Sequence, residues 1–181
     1  MDKTDRKRLN IAMALNDLMG AKPIEQITVV ELCEEAGISR STFYTYFEDI
    51  YSVGEWLWDR EFRVIFDGLG SQYGYRECFR RLFERLKEIG PRLARVRPLR
   101  PKSDDKTYAY SNSTGAIIRA AERALGRPLT AEEYLHVQYS AYAEEAMTLK
   151  WLAEDMSVPP DVMAGYFAGA APDFIIRAVG E

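Results

Sequence analysis

Residues 27–47 read ITVVELCEEAGISRSTFYTYF, a stretch that carries the local signals for two short helices around a tight turn. Thr28 is a suitable N-cap for the first helix, and Glu31, three residues later, can complete a capping box. Ser39 is a suitable N-cap for the second helix, which we expect over residues 40–47. The stretch therefore predicts a helix–turn–helix unit.

The two predicted helices have separate buried and exposed faces. Gly37 stands between them, where a left-handed residue costs least. In the second helix, Phe43 and Phe47 are one turn apart and should anchor it to a core. In the first helix the apolar positions recur at helical spacing, at Val29, Leu32, Cys33 and Ala36. We expect the polar and exposed side chains to contact DNA phosphates and base edges: Thr28, Ser39, Arg40, Ser41, Thr42, Tyr44, Thr45 and Tyr46.

An amphipathic helix precedes this unit and should complete a three-helix bundle. Its apolar stripe consists of Ile11, Ala14, Leu15, Leu18 and Met19. Its amino end carries four basic residues that suit backbone phosphates: Lys3, Arg6, Lys7 and Arg8.

Residues 8–57 resemble the DNA-binding domain of the TetR (tetracycline-repressor-like) family of transcriptional regulators. The resemblance rests on the stripe of the first helix, on Thr28, and on the segments AGIS (36–39), TFY (42–44) and YF (46–47). The variant RSTFYTYF, preceded by KPIEQIT, is similar to a branch that includes dihydroxyacetone-kinase activators.

The resemblance implies an all-α fold of about nine helices. It places a helix–turn–helix DNA-binding domain at residues 1–50 and a helical effector-binding and dimerisation domain at residues 51–181. It also implies a homodimer that binds a near-palindromic double-stranded DNA operator as a repressor and is released by a small-molecule effector. Two recognition helices must then sit one DNA turn apart, ~34 Å.

Two features of the first 60 residues depart from a typical DNA-binding domain. The family usually has a phosphate-contacting lysine three residues after the YF pair, where this chain has Ile50, preceded by Glu48 and Asp49. Residues 1–60 hold seven Lys and Arg against eleven Asp and Glu, so the whole net charge of −4 lies there. These features leave open an alternative function: a TetR-fold protein-interaction regulator with weak or no DNA binding.

Beyond residue 50 the spacing of apolar residues predicts only helices, over residues 48–68, 75–89, 108–126, 131–153 and 161–179. The segment 91–102, PRLARVRPLRPK, carries five positive charges and three prolines. It is either a solvated linker or an accessory contact to phosphate.

The last two predicted helices resemble the dimerisation pair of the family. A strip of small residues there permits close helix packing, either between two chains or within one: Ala164, Gly165, Ala168, Gly169 and Ala171. In the family, the central helices enclose a small-molecule pocket. Aromatic residues at the corresponding positions predict a pocket for an apolar or aromatic effector: Phe62, Phe66, Phe79, Phe83, Tyr108, Tyr110, Tyr139, Tyr142, Met147 and Trp151. Plain core packing is the alternative for each of them.

The sequence gives no sign of catalysis, of a cofactor or of a metal site. It has a single histidine, His136, for which we expect a packing or dimer-face role, and it has no glycine-rich phosphate loop. The pairs Glu132-Glu133 and Glu144-Glu145 are read as solvated helix faces. The N-terminus is charged and no uninterrupted apolar span appears, so we expect a cytoplasmic protein without a membrane segment. Cys33 and Cys78 are then buried reduced thiols, with a redox switch as the alternative.

Overall fold

A computed structural model describes residues 2–88 and 108–181, except for the side chains of residue 58 and residues 108–112. The basic segment 91–102 and the side chains of Tyr108 and Tyr110 therefore lie outside the described residues. The described part of the chain is all-α, with nine α-helices, one 3-10 turn and no strand, which confirms the predicted fold class. Five helices lie in the amino-terminal part: α1 (Lys3–Ala21), α2 (Val29–Glu35), α3 (Arg40–Tyr46), α4 (Ile50–Phe66) and α5 (Tyr75–Glu88), with the 3-10 turn at Ile24–Gln26. Four follow: α6 (Tyr108–Leu125), α7 (Ala131–Ala153), α8 (Pro160–Ala170) and α9 (Asp173–Val179).

The predicted last helix over residues 161–179 is wrong, because the chain breaks it into α8 and α9, bent by 113°. Pro172 causes the break. Its ring disfavours the helical conformation in the residue before it, and Ala171 is extended, with φ −66° and ψ 150°. Pro172 then serves as the residue before the first turn of α9.

The chain divides into two compact units, and the division falls between Trp58 and Asp59, inside α4. The predicted domain boundary after residue 50 remains a prediction. In the first unit α1, α2, α3 and the beginning of α4 share one apolar core. The residues of that core that solvent does not reach at all are Ile11, Ala12, Leu15, Leu32, Phe43 and Val53.

The second unit has an aromatic core formed mainly by α5 and α8. Phe79 lies at its centre, with ring centroids of Phe66, Tyr75 and Phe167 5.5, 5.0 and 5.0 Å away. Phe167 also packs against Phe83 at 5.3 Å. Helix α6 packs against α7 and α9. Edge-to-face and tilted ring pairs of this kind stabilise a core beyond the area that they bury.

The carboxyl-terminal residues of the chain pack on the turn between α4 and α5. The backbone N–H of Tyr75 donates to the carbonyl of Gly180 at 2.9 Å. A Cβ atom at Gly74 would lie 2.0 Å from the carbonyl oxygen of Glu181, so this position accepts only glycine without a shift of backbone.

No single helix among the described residues is long and apolar enough to cross a membrane, although the bent pair α8 and α9 reaches that length and composition together. Within the same residues no group of three or more His, Cys, Asp or Glu side chains is arranged to hold a metal ion.

Candidate DNA-binding surface

Hydrogen bonds at the start of α2 and in the turn after it fix the arrangement of α2 and α3, as the sequence predicted. Thr28 accepts from the N–H of Glu31 at 3.2 Å, and the Glu31 carboxylate accepts from the N–H of Thr28 at 2.9 Å, which completes the capping box. Gly37 has φ +63°, and the N–H of Ile38 donates to the carbonyl of Cys33 at 2.9 Å. This is the Schellman arrangement that ends a helix on a left-handed residue.

Two side chains tie α1 and the residue after it to α2 and the turn that follows α2. Asn10 donates to the carbonyl of Ala36 at 2.9 Å, and Lys22 forms an ion pair with Glu31 at 2.6 Å. The hydrogen bonds from Lys22 and Thr28 lower the pKa of Glu31 to about 2. Because Lys22 is neutralised in this way, it adds little positive charge to the surface of the unit.

Helix α3 is held by its apolar side and presents its polar side to solvent. Phe43 is fully buried, with the ring of Phe47 6.0 Å away. The opposite side presents Tyr44, whose surface is 53% exposed. The exposed members of the predicted DNA-contacting set on this helix are Arg40, Ser41, Tyr44 and Thr45. They occupy two adjacent turns, so one face of one helix presents a guanidinium, a phenol and two hydroxyls.

Other residues of the predicted set have hydroxyls that already serve the fold. Ser39 accepts from the N–H of Thr42 at 3.1 Å, and its hydroxyl lies 2.8 Å from that of Thr42. The Thr28 hydroxyl donates to Glu31 at 2.9 Å. Tyr46 is half-buried against the core of the first unit. Ser39 and Tyr46 therefore position α3, and Thr28 caps α2. Among the four exposed residues, the Ser41 hydroxyl lies 2.9 Å from that of Ser39, and the Thr45 hydroxyl donates to the carbonyl of Ser41 at 3.0 Å.

The basic residues at the start of α1 are not equivalent. Lys3, Arg6 and Lys7 are exposed, as the prediction requires. Arg8 is half-buried, its guanidinium lies 5.9 Å from the centre of the Phe47 ring, and its Nε has no hydrogen-bond partner in the described chain. Such a cation over an aromatic face stabilises the pair. Arg8 therefore stabilises the carboxyl end of α3 through its contact with Phe47.

The position of the missing lysine is occupied by a core residue. Ile50 is buried in the first unit. Just before it, Asp49 accepts from the N–H of Ser52 at 2.8 Å, and the Asp49 N–H donates to the Ser52 hydroxyl at 3.2 Å. Asp49 thus caps the start of α4, a role that the spacing of Asp49 and Ser52 in the sequence would have indicated. No side chain at position 50 reaches out to a phosphate.

The aromatic residues predicted to line an effector pocket fall into a buried group and an exposed group. Phe66, Phe79, Phe83 and Trp151 are buried and pack against one another, and Phe62 stacks on Phe66 at 5.8 Å. In contrast, Tyr139 and Tyr142 are 76% and 61% exposed, and Met147 is exposed as well. The prediction that these last three line an enclosed pocket is wrong, because they lie on the outer face of α7. The hypothesis missed Phe167, which completes the buried cluster.

The strip of small residues predicted at the dimer interface is used within the chain. Ala164, Ala168 and Ala171 are buried, and α8 packs closely on α5. A Cβ atom at Gly165 would lie 3.5 Å from the guanidinium of Arg76 on α5, while Gly169 faces open space. The three alanines are buried by packing within the chain, the alternative that the sequence left open, and the dimer interface remains a prediction.

The two cysteines and the histidine have ordinary surroundings. Cys33 and Cys78 are free thiols and both are buried. Burial raises the pKa of each thiol, which favours the unreactive protonated form. His136 is exposed on α7, 3.9 Å from the Glu132 carboxylate.

Comparison with known proteins agrees with the fold and with the predicted branch. The chain is 31% identical over 78 residues to the HTH-type dhaKLM operon transcriptional activator DhaS of Lactococcus lactis subsp. lactis (strain IL1403). The match covers 43% of this chain and 42% of that protein, so the chain spans about two-fifths of the curated relative. No family model matches the chain.

A solved structure matches over nearly the full length. The dihydroxyacetone kinase operon activator DhaS superposes with a TM-score of 0.67 at 19% identity, covering 96% of each chain. At this identity the likeness shows a shared fold. Together the two comparisons confirm the predicted resemblance to the dihydroxyacetone-kinase-activator branch of TetR-like regulators.

Proposed function

We propose that the protein is a homodimeric transcriptional regulator of the cytoplasm that binds a near-palindromic DNA operator through the exposed face of α3. The observation that carries the proposal is the arrangement of Arg40, Ser41, Tyr44 and Thr45 on one face of a helix whose other face is anchored by Phe43. Arginine recognises guanine edges, and phenol and hydroxyl groups bind phosphate oxygens. The exposed Lys3, Arg6 and Lys7 would add contacts to the DNA backbone.

The direction of regulation is part of the proposal. The sequence resemblance implied repression, yet both named relatives are operon activators. We therefore favour activation. A reporter gene placed behind the bound DNA decides the matter: expression that falls when the protein is produced would contradict activation and restore repression.

The recognition face gives the first prediction. We expect Arg40→Ala and Tyr44→Phe each to weaken operator binding by about tenfold or more, since a good base contact contributes about 1–3 kcal/mol. Binding is measured by fluorescence anisotropy on DNA from upstream of the gene, or on sequences selected from a random double-stranded library. Arg177→Ala removes an exposed positive charge from the second unit and serves as the control. Wild-type affinity in both α3 variants would show that α3 does not read the DNA.

A second candidate function follows from the charge of residues 1–60. Residues 1–60 have a net charge of −4, and the position of the family's phosphate-binding lysine is a buried isoleucine. Both features favour a regulator that keeps the fold and acts by binding a protein. The salt dependence of DNA binding separates the two functions, because each phosphate contact steepens the fall of affinity with salt concentration. A slope near zero, or no binding to any selected DNA, supports the second function.

The outer face of α7 is our proposed dimer interface, in place of the buried alanines of α8. Leu135, Tyr139, Tyr142 and Ala146 are exposed at helical spacing on the side opposite the buried Val137 and Thr148. An exposed apolar stripe of this length on a helix is a typical interaction surface. The face is continuous and uncharged along these four positions.

We expect Tyr139→Asp to convert the protein from dimer to monomer, because a charge at the centre of an apolar interface must be desolvated without a partner. Size-exclusion chromatography with light scattering measures the mass, which for one chain is 20.7 kDa. Met13→Asp places the same charge at an exposed apolar residue of α1 and should leave the mass unchanged. A monomeric wild-type protein, or a Tyr139→Asp variant that remains dimeric, would remove this interface from consideration.

Effector binding in the second unit completes the proposal. Helix α4 is continuous across the division between the two units, so a displacement of its carboxyl-terminal half is transmitted along the helix to the first unit. The effector must bind the two conformations with unequal affinity, because only that difference shifts their populations.

A further inference from the structure

One arginine of the first unit is partly enclosed and has no anionic partner. Arg8 is half-buried, and its guanidinium lies 5.9 Å from the centre of the Phe47 ring. Within the described residues no group pairs with this guanidinium. Nε is the only one of its nitrogens that is enclosed without a partner, so the two terminal nitrogens are open to solvent. An enclosed N–H donor without an acceptor costs free energy, and a charge in such a place is normally paired with an anion.

A shortage of acidic residues does not explain the missing partner. Residues 1–60 contain eleven Asp and Glu side chains against seven Lys and Arg. Among the other cations, Lys22 is neutralised by Glu31 at 2.6 Å. The carboxylate of Asp49, which follows the contact of Arg8 by two residues, caps the start of α4 instead. The charge of Arg8 is therefore available to an anion from outside the chain.

The unpaired guanidinium lies at the carboxyl end of the helix that we propose to read DNA. Arg40 is the first residue of α3 and Phe47 is its C-cap, so the two are ~10 Å apart along the helix axis. The first residues of a recognition helix contact base edges. Its opposite end then approaches the phosphates that border the major groove, which is about 12 Å wide. The first turn of α4 offers no cation there, because Ile50 is buried and the next three residues are uncharged.

We propose that Arg8 binds a phosphate of duplex DNA at the carboxyl end of α3 through its two terminal nitrogens. The Phe47 ring holds the guanidinium in place for this contact through a cation–π interaction. An arginine whose stem is already packed loses less side-chain entropy on binding than the fully exposed basic residues of α1 do. The proposal rests on the proposed function, because it requires α3 to lie in the groove.

The salt dependence of DNA binding tests the contact. Arg8→Gln removes the charge and keeps most of the stem that packs on Phe47. Dissociation constants are measured by fluorescence anisotropy on a selected duplex, on the full chain, across a series of salt concentrations. A phosphate contact contributes ~0.9 to the slope of log affinity against log salt concentration, so the variant should lose ~0.9 for each half-site that is bound. At about 0.1 M salt this corresponds to a fall in affinity of about five- to tenfold for each half-site.

Two further variants are matched controls. Lys22→Gln removes the same charge from a residue that already has a partner in Glu31, so it should keep the wild-type slope. Arg8→Lys keeps the charge without the planar guanidinium, so it should restore the slope but only part of the affinity. If Arg8 acted only by packing on Phe47, then Arg8→Gln would weaken binding with an unchanged slope.

Uncharged methylphosphonate linkages locate the phosphate. Each phosphate of the duplex is replaced in turn, and affinity is measured for wild type and for Arg8→Gln. In the wild-type protein one position of each half-site should owe its loss of affinity to Arg8, and the variant should be insensitive at that position alone. The other positions are internal controls, because a purely structural role would leave the pattern of sensitivities unchanged. If Arg8→Gln does not fold, as judged by circular dichroism, Arg8→Met takes its place with the same expectation.

The outcomes separate this contact from the proposed function. A wild-type slope in Arg8→Gln, or the same sensitivity as wild type at every methylphosphonate, overturns the Arg8 contact and leaves DNA binding by α3 intact. If the wild-type protein binds no selected duplex, the proposed function fails and the Arg8 contact fails with it. A reduced slope together with insensitivity at one phosphate of each half-site supports both.

Discussion

Replacing Phe43 by alanine is expected to lower the free energy of unfolding of the first unit by about 3–5 kcal/mol, the usual cost of removing a buried phenylalanine side chain. Phe43 is fully buried, and its ring packs against Tyr44 and Phe47 at 5.3 and 6.0 Å. Helix α3 has only seven residues, too few to be stable in isolation. The helix therefore depends on this anchor for its orientation, and DNA binding should be lost together with stability.

The neighbouring residue is the matched control. Tyr44→Ala removes a side chain of similar size that is 53% exposed and pairs edge-to-face with Phe43, so we expect the unfolding free energy to fall by about 1 kcal/mol, well below the effect of Phe43→Ala. DNA affinity should nevertheless fall. Urea unfolding measures stability, and fluorescence anisotropy measures DNA binding. Comparable stability of Phe43→Ala and wild type would contradict the anchoring role, and equal DNA affinity of Tyr44→Ala and wild type would contradict the recognition face.

The second prediction with a large expected effect concerns Glu144. We expect this residue to make the free energy of unfolding depend on pH. Glu144 on α7 accepts a hydrogen bond from the hydroxyl of Tyr75 on α5 at 2.5 Å, and Tyr75 is fully buried. The prediction that Glu144 belongs to a solvated face is therefore wrong.

The pKa of Glu144 is raised from 4.5 to about 8 in the folded protein by burial. The folded state therefore holds the proton more tightly than the unfolded state does. Below about pH 4.5 both states are protonated and the residue has no effect. Between about pH 4.5 and 8 the unfolded state releases the proton first, so stability falls as pH rises; above about pH 8 the penalty is constant.

The size of this penalty follows from the pKa difference. At 1.36 kcal/mol per unit, the loss of stability is about 3 kcal/mol at pH 7 and at most about 5 kcal/mol above pH 8. We expect Glu144→Gln, which keeps the acceptor for Tyr75, to be more stable than wild type at pH 7 and to lose this part of the pH dependence. Urea unfolding at pH 5, 7 and 9 measures both quantities.

Glu132→Gln controls for the loss of a charge on α7, since that carboxylate is exposed. It should follow the pH profile of the wild-type protein. If the stability of the wild-type protein does not fall between pH 5 and 8, or if Glu144→Gln shows the same fall, then Glu144 is not a buried neutral acid.

Local signals predicted the first unit well because they act within a few residues. The capping box of Thr28 and Glu31, the left-handed Gly37 and the N-cap Ser39 all satisfy backbone groups of their own helix ends. The start of α7 follows in the same way from the capping box that begins at Thr130. The predicted last helix ran through Pro172 because the apolar spacing continues past it, whereas a proline disfavours the helical conformation of the residue before it.

Long-range contacts account for the other differences. The spacing of Ala164 and Ala168 indicates that another helix can pack closely on α8. It does not indicate that this helix is α5 of the same chain. The exposed Tyr139 and the buried Trp151 are both aromatic residues of α7, and composition does not distinguish them. Likewise Glu144 and Glu145 are equivalent in the sequence until Tyr75, 69 residues away along the chain, meets one of them.

The sequence by itself determined the all-α class, the helix–turn–helix and the polar residues that α3 exposes, because capping and helical periodicity are set within a few residues of chain. Only the tertiary structure decided that the small-residue strip of α8 is internal, that the outer face of α7 is apolar and uncovered, and that Glu144 is enclosed beside Tyr75. Those properties depend on which elements pack together, and burial, charge state and surface exposure follow from that packing alone.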